Sequence, residues 1–263
     1  MATVYKTLTN NDSTSTRTLL NEAIPVTGTI VSGTYNGGGR TSAKITGSEQ
    51  NVKTFAHKMY QSVYDYPFLS SSANHIFDIT VGYSTASALD NRNDTSYHNK
   101  KVNTYNQFAQ VLMGYDHTGS VRLFDKDGDL TGGNKITEAL FISFSRLLVK
   151  DEIKKGSFSM TLGTGSHYAP TDRPLGATGS LIIGDSSGST EFKVNSPAGE
   201  YGLLYEQSDA GNAYSLGAAQ PDPYGLIFYQ AGVVVLNLSG AVTGSHNTTV
   251  GFRANEQQAG PMY

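Results

Sequence analysis

Tyr201-Gly202-Leu203-Leu204-Tyr205 returns as Tyr224-Gly225-Leu226-Ile227-Phe228-Tyr229. Each copy is a short aromatic and aliphatic run between turn residues, and the second leads through Gln230-Ala231-Gly232 into Val233-Val234-Val235-Leu236. Short runs rich in aromatic and branched residues, bounded by Gly and Pro, are strand chemistry. The echo reads as two similar strands of one sheet in a region with almost no charge. Around it, Leu181 to Ile183, Glu191 to Val194, Gly232 to Leu238 and Thr248 to Phe252 are further strand segments, separated by turns at short intervals. That pattern predicts an antiparallel sandwich or barrel.

Toward the N-terminus the same grammar continues with interruptions. Residues 1–22 are polar and Thr-rich and read as an extended arm, and Ile24 to Val31 reads as a strand with Pro25 at its start or edge. Gly37-Gly38-Gly39 marks a loop, Phe55 to Tyr64 is ambiguous between strand and helix, and Ile76 to Val81 is a strand. Val102, Tyr105, Phe108, Ala109 and Leu112 lie on one helical stripe, so a helix is expected over 101–114, with Asn99 as its cap and Gly114 as its stop. Ala139 to Ser145 alternates as a strand, Leu147 to Lys155 reads as a short helix, and Ser157 to Leu162 as another strand. Gly, Ser, Thr and Pro dominate residues 163–179. The expected organisation is an arm (1–22), a β-rich region with the helix (23–165), an all-β domain or second half of the same sandwich (180–252) and a polar tail (253–263). The fold class is mainly β: an antiparallel β-sandwich or barrel with one or two short helices.

Composition bounds the function. The 263 residues carry a net charge of only -3, with 16% charged residues, 16 Tyr and 11 Phe. Disordered chains combine high net charge with few aromatics, so these aromatics predict a packed core. A near-neutral surface argues against non-specific nucleic-acid binding, which needs a basic face. The chain has no Cys, which excludes disulfides, thiolate metal sites and a Cys nucleophile. Its N-terminus lacks a basic-then-apolar leader. The longest apolar run, Val233 to Leu236, is far short of the roughly 20 residues a membrane helix needs. A soluble protein made in the cytoplasm is expected.

Three local patterns invite chemistry. Asp125-Lys126-Asp127-Gly128-Asp129 alternates carboxylates around a glycine, the arrangement that can offer oxygens to a hard cation. An EF-hand would need Gly and Glu at its sixth and twelfth positions, and Leu130 and Ile136 stand there. The turn therefore reads as a solvated one, with Asp125, Asp127 and Asp129 as a weak candidate metal site. Gly184-Asp185-Ser186-Ser187-Gly188 matches G-x-S-x-G, but a nucleophile elbow needs a helix after it, and Ser189 to Val194 reads as a strand. The six His residues (57, 75, 98, 117, 167 and 246) show no metal-ligand spacing. Catalytic residues and cofactors are expected to be none. Tyr64, Tyr66, Phe68, Tyr201, Tyr205, Tyr224, Phe228 and Tyr229 are the expected interface aromatics, since Tyr suits wet protein–protein contacts.

Four phrases carry a resemblance: Gln61-Ser62-Val63-Tyr64-Asp65-Tyr66-Pro67-Phe68 with its continuation to Asp78, Arg146 to Phe158, Ser196-Pro197-Ala198-Gly199-Glu200-Tyr201-Gly202, and Phe228-Tyr229-Gln230-Ala231-Gly232. With them the chain, over roughly residues 1–240, resembles virion proteins of tailed bacteriophages, in particular large contractile-tailed phages of marine and cyanobacterial hosts. The resemblance implies a non-enzymatic structural part of the particle. Its partners would be copies of itself and other phage structural proteins, with no nucleic acid and no membrane. A tail position (baseplate or neck) is expected first. A capsid decoration or cement protein, or a tail-tip receptor or glycan-binding module, are the alternatives.

Overall fold

The computed structural model describes residues 51–55, 59–87, 95–133, 135–145, 152–163, 180–207 and 223–238. The expected arm, the strand at 24–31, the Gly-rich loop, the strand at 248–252 and the tail lie outside them. The fold is mainly antiparallel β with one helix, as expected.

The echoed phrases form the centre. β10 (Gly199–Glu206) and β11 (Gly225–Phe228) are antiparallel neighbours, with Tyr201 opposite Phe228 and Leu203 opposite Leu226. A tight turn follows β11. Gly232 adopts φ 68°, and its N–H donates to the Phe228 carbonyl at 2.9 Å. β12 (Val233–Asn237) returns along β11.

On its other side β12 pairs β6 (Glu138–Phe144), which pairs β3 (His75–Tyr83). Next come β2 (Gln61–Tyr64) and β1 (Val52–Thr54). Beyond β10, β9 (Lys193–Ser196) pairs its N-terminal end, and β8 (Ser180–Gly184) pairs its C-terminal end. β7 (Ser159–Gly163) pairs β8 along five residues. These ten strands form one sheet. The stretch 164–179 lies in sequence between two paired strands, β7 and β8, and β12 lies between strands from both sides of that stretch.

Both faces of the central strands are covered. Side chains alternate along a strand, so β12 sends Val233 and Val235 to one face and Val234 and Leu236 to the other. On the first face, Tyr201, Leu226, Phe228 and Phe141 meet Tyr105, Ala109 and Leu112 of the helix α1 (Thr95–Leu112). Phe124 and Ile136 join them from a small hairpin, β4 (Phe124–Asp125) with β5 (Lys135–Ile136). On the second face, Leu204, Ile227 and Ile142 meet Ile153, Phe158 and Ile183. Double coverage explains why β11 and the first four residues of β12 are buried without a polar face.

Helix α1 lies close against β3. A Cβ at Gly82 would stand 2.9 Å from the Tyr105 nitrogen and 3.1 Å from the Lys101 carbonyl oxygen, so the missing side chain lets the two backbones approach. The helix stops as expected at Gly114, whose φ is 73° and whose N–H donates to the Ala109 carbonyl at 3.0 Å. Its start differs. The helix begins at Thr95, so Asn99 lies inside it and does not cap it. The first turns are polar, and the apolar stripe begins only where the helix reaches the sheet. The short helix expected at 147–155 is not seen in its described part, 152–155. There Ile153 is buried, and its N–H donates to the Tyr229 carbonyl at 3.0 Å. The ambiguous stretch before residue 65 resolves into β2 at Gln61–Tyr64.

Candidate functional site

The acidic turn closes the β4–β5 hairpin. Phe124 and Ile136 face each other and anchor it in the core, while Asp125 faces Lys135. Asp125 is 0% exposed. Its Oδ2 accepts from Lys135 Nζ at 2.7 Å, and its Oδ1 has no hydrogen-bond partner. The turn is therefore not simply solvated: the register places its first carboxylate inside the protein. Burial pushes the Asp125 carboxyl above its ordinary range, Lys135 opposes that rise, and the neighbouring Asp127 adds to it. Asp129 Oδ1 accepts from the Thr131 N–H at 2.7 Å, and its Oδ2 accepts from the Thr131 hydroxyl at 2.9 Å. These bonds hold the Asp129 carboxyl below its usual value. One oxygen from each of Asp125, Asp127 and Asp129 lies within 4.8 Å of the others.

The turn is held from behind. Gly128 has φ 71°, and Leu130 takes φ 63°, the left-handed conformation an EF-hand gives to glycine at that position. The Gly128 carbonyl accepts from Asn195 Nδ2 at 3.0 Å. The Tyr201 hydroxyl lies 3.3 Å from that carbonyl and donates to Asn195 Oδ1 at 2.7 Å. Burial, and secondly the Asp125 charge, push the Tyr201 hydroxyl up to about 12. The acidic turn is thereby tied to β9 and β10.

The G-x-S-x-G stretch follows β8 and makes a run of turns before β9, with no helix after it. Asp185, not Ser186, is its organising residue. Its Oδ2 accepts from the Gly156 N–H and its Oδ1 from the Phe158 N–H, both at 2.8 Å. Burial raises its pKa, and these two bonds work against that rise. The Tyr229 hydroxyl lies beside the same carboxylate, near Gly188, without a well-formed hydrogen bond. The motif is a structural staple built on the buried Asp185.

One constellation was invisible in the sequence. Ser62 stands opposite Asp78 across β2 and β3. Its hydroxyl donates to Asp78 Oδ1 at 2.5 Å, and His75 Nε2 lies 2.8 Å from the same oxygen. Ser, His and Asp meet here in the wrong order for acyl transfer. The serine spends its proton on the carboxylate, and the imidazole does not take it. Only the strand register brings the three together.

The expected interface aromatics divide into two groups. Tyr201, Tyr205, Tyr224, Phe228 and Tyr229 are buried within the chain and offer no surface as folded. β10 and β11 are central strands covered on both faces, so their aromatics are used in the core. Tyr201 stacks on Phe228 with ring centroids 5.0 Å apart. Tyr64, the last residue of β2, and Tyr66 and Phe68 on the turn after it are half-buried. Tyr64 lies 6.4 Å from Phe68 and 5.5 Å from His75 between ring centroids. Asp65 fixes that turn by accepting from the Tyr66 and Asn74 N–H groups, and Leu69 beside it is 65% exposed. Among the described residues no helix is long and apolar enough to cross a membrane. Comparison with known families, curated proteins and solved structures finds no match.

Proposed function

We propose that the chain is a non-enzymatic structural subunit of a tailed-phage virion, placed in the tail at the baseplate or neck. It acts by packing against copies of itself and against other phage structural proteins. The resemblance of its Gln61–Asp78, Arg146–Phe158, Ser196–Gly202 and Phe228–Gly232 phrases to virion proteins motivates this reading.

The structural observation that carries it is an open-edged sheet. Among the described residues β1 pairs only β2, and β7 pairs only β8. A strand paired on one side keeps a row of N–H and C=O groups for another chain. Among the described residues the central faces are filled by the chain's own core, which leaves these edges and the Tyr64–Leu69 turn open to contact with neighbours. Low net charge limits repulsion between identical subunits in a ring.

A density map of the whole particle, with the oligomeric state of the purified protein, tests the reading. The expected result is a tail location and a closed ring of low symmetry. A strictly monomeric protein absent from the particle would overturn it. So would saturable turnover of a substrate, abolished by one side-chain replacement.

A further inference from the structure

We propose that Asp125, Asp127 and Asp129 bind one hard divalent cation of the calcium class at the tip of the β4–β5 hairpin. The spacing suits it. Two oxygens on one calcium ion, each at about 2.3–2.6 Å, stand no more than about 5 Å apart, and one oxygen from each carboxylate lies within 4.8 Å of the other two.

An independent observation points to a ligand. Asp125 is wholly buried, and its Oδ1 has no hydrogen-bond donor. A buried carboxylate oxygen without a partner is costly. Lys135 occupies Oδ2, and Oδ1 is the carboxylate oxygen left without a partner. A cation between Asp125 and Asp127 would satisfy that atom and remove the repulsion between the carboxylates.

The donor set selects the ion class. It contains only carboxylate oxygens, and the chain has no Cys, so soft-metal chemistry is excluded at this turn. The Gly128 carbonyl is engaged by Asn195 and Tyr201, so it is not among the cation's ligands. Three carboxylates on one short turn do not enforce an octahedron, which favours calcium over magnesium. Ile136, at the position where an EF-hand has its bidentate Glu, is apolar and buried in the core. With fewer protein ligands the affinity belongs near the weak end of calcium sites, on the order of 10⁻⁴–10⁻³ M. Through Gly128, Asn195 and Tyr201 the bound ion would fasten the hairpin to β9 and β10. This proposal is independent of the virion reading.

Terbium luminescence tests it. The chain has no Trp, so tyrosine is the sensitiser, and the Tyr201 hydroxyl lies 3.3 Å from the Gly128 carbonyl in this turn. The full chain should give saturable terbium emission that calcium displaces better than magnesium. Asp127→Asn and Asp129→Asn should each weaken calcium competition about tenfold or more, with the circular-dichroism spectrum unchanged. These two side chains lie outside the core, so their replacement spares the fold better than Asp125→Asn. The Tm of the wild type should be higher in millimolar calcium than in EDTA, and this difference should vanish in both variants. Emission that does not saturate, emission equal in wild type and both variants, or a Tm identical in calcium and EDTA would overturn the proposal.

Discussion

Lys101 is a charge placed on the buried face of α1. It is 3% exposed, and its Nζ donates to the Met59 carbonyl at 3.3 Å. Burial lowers its pKa from 10.5 to about 8. A lysine with a lowered folded pKa binds fewer protons folded than unfolded between those two values, so its contribution to stability rises with pH across that window. Lys101→Met removes the titrating group and keeps the stem. Wild type should gain on the variant by on the order of 3 kcal/mol between pH 8 and pH 10.5. Urea unfolding of both proteins across that range measures the gain, and a constant difference would contradict it. Taking the difference cancels the opposite slope from Tyr201, whose raised pKa acts above pH 10.

Asp185 is the second residue with a definite role. Asp185→Ala would leave the Gly156 and Phe158 N–H groups without their acceptor. The Phe158 N–H is the buried one of the two, and at roughly 1–3 kcal/mol per buried orphaned group the expected loss is about 1–3 kcal/mol. Equilibrium denaturation should show it, while Ser186→Ala should leave stability within about 0.5 kcal/mol.

At the scale of elements, α1 and β3 depend on one missing side chain. Gly82→Ala would place a Cβ 2.9 Å from the Tyr105 nitrogen and 3.0 Å from the Phe141 ring. The nearest atom belongs to helix backbone and cannot rotate away, so α1 must shift as a unit. A destabilisation of about 1–3 kcal/mol is expected, and the urea midpoint reports it. Wild-type stability in this variant would show that the helix is less firmly seated than the spacing indicates.

The elements also show where sequence period succeeds. The Tyr-Gly-Leu echo reads correctly as two strands of one sheet, because alternation and flanking turns are properties of a few neighbouring residues. The helix stop at Gly114 is legible for the same reason. The start at Thr95 is not, because the polar first turns of α1 carry no apolar period to mark them. β9 is found two residues later than expected, at Lys193–Ser196, because its pairing with the start of β10 sets its limits.

For the whole molecule, Phe141 is the meeting point. Its ring stacks on Phe108 at 4.2 Å and contacts Tyr105 at 6.1 Å and Phe124 at 5.7 Å. It therefore joins the sheet, the helix and the β4–β5 hairpin. Phe141→Ala should cost about 3–5 kcal/mol. Because β6 and β12 pair directly, circular dichroism and tyrosine fluorescence should report that loss in one coincident transition. Separate transitions would mean that the two ends of the sheet unfold independently.

The sequence by itself determined the strand chemistry, the mainly β class, the stop of α1 and the absence of a nucleophile elbow at Ser186. Each follows from residues close together in the chain. The tertiary structure alone decided the strand order, the burial of Tyr201, Tyr205, Tyr224, Phe228 and Tyr229, the pairing of Asp125 with Lys135 and the meeting of Ser62, His75 and Asp78. A strand's alternation states that it has two faces. What covers each face, and which residue stands opposite, depends on segments far away in the chain, as β12 pairing β6 shows with Asn237 opposite Ala139.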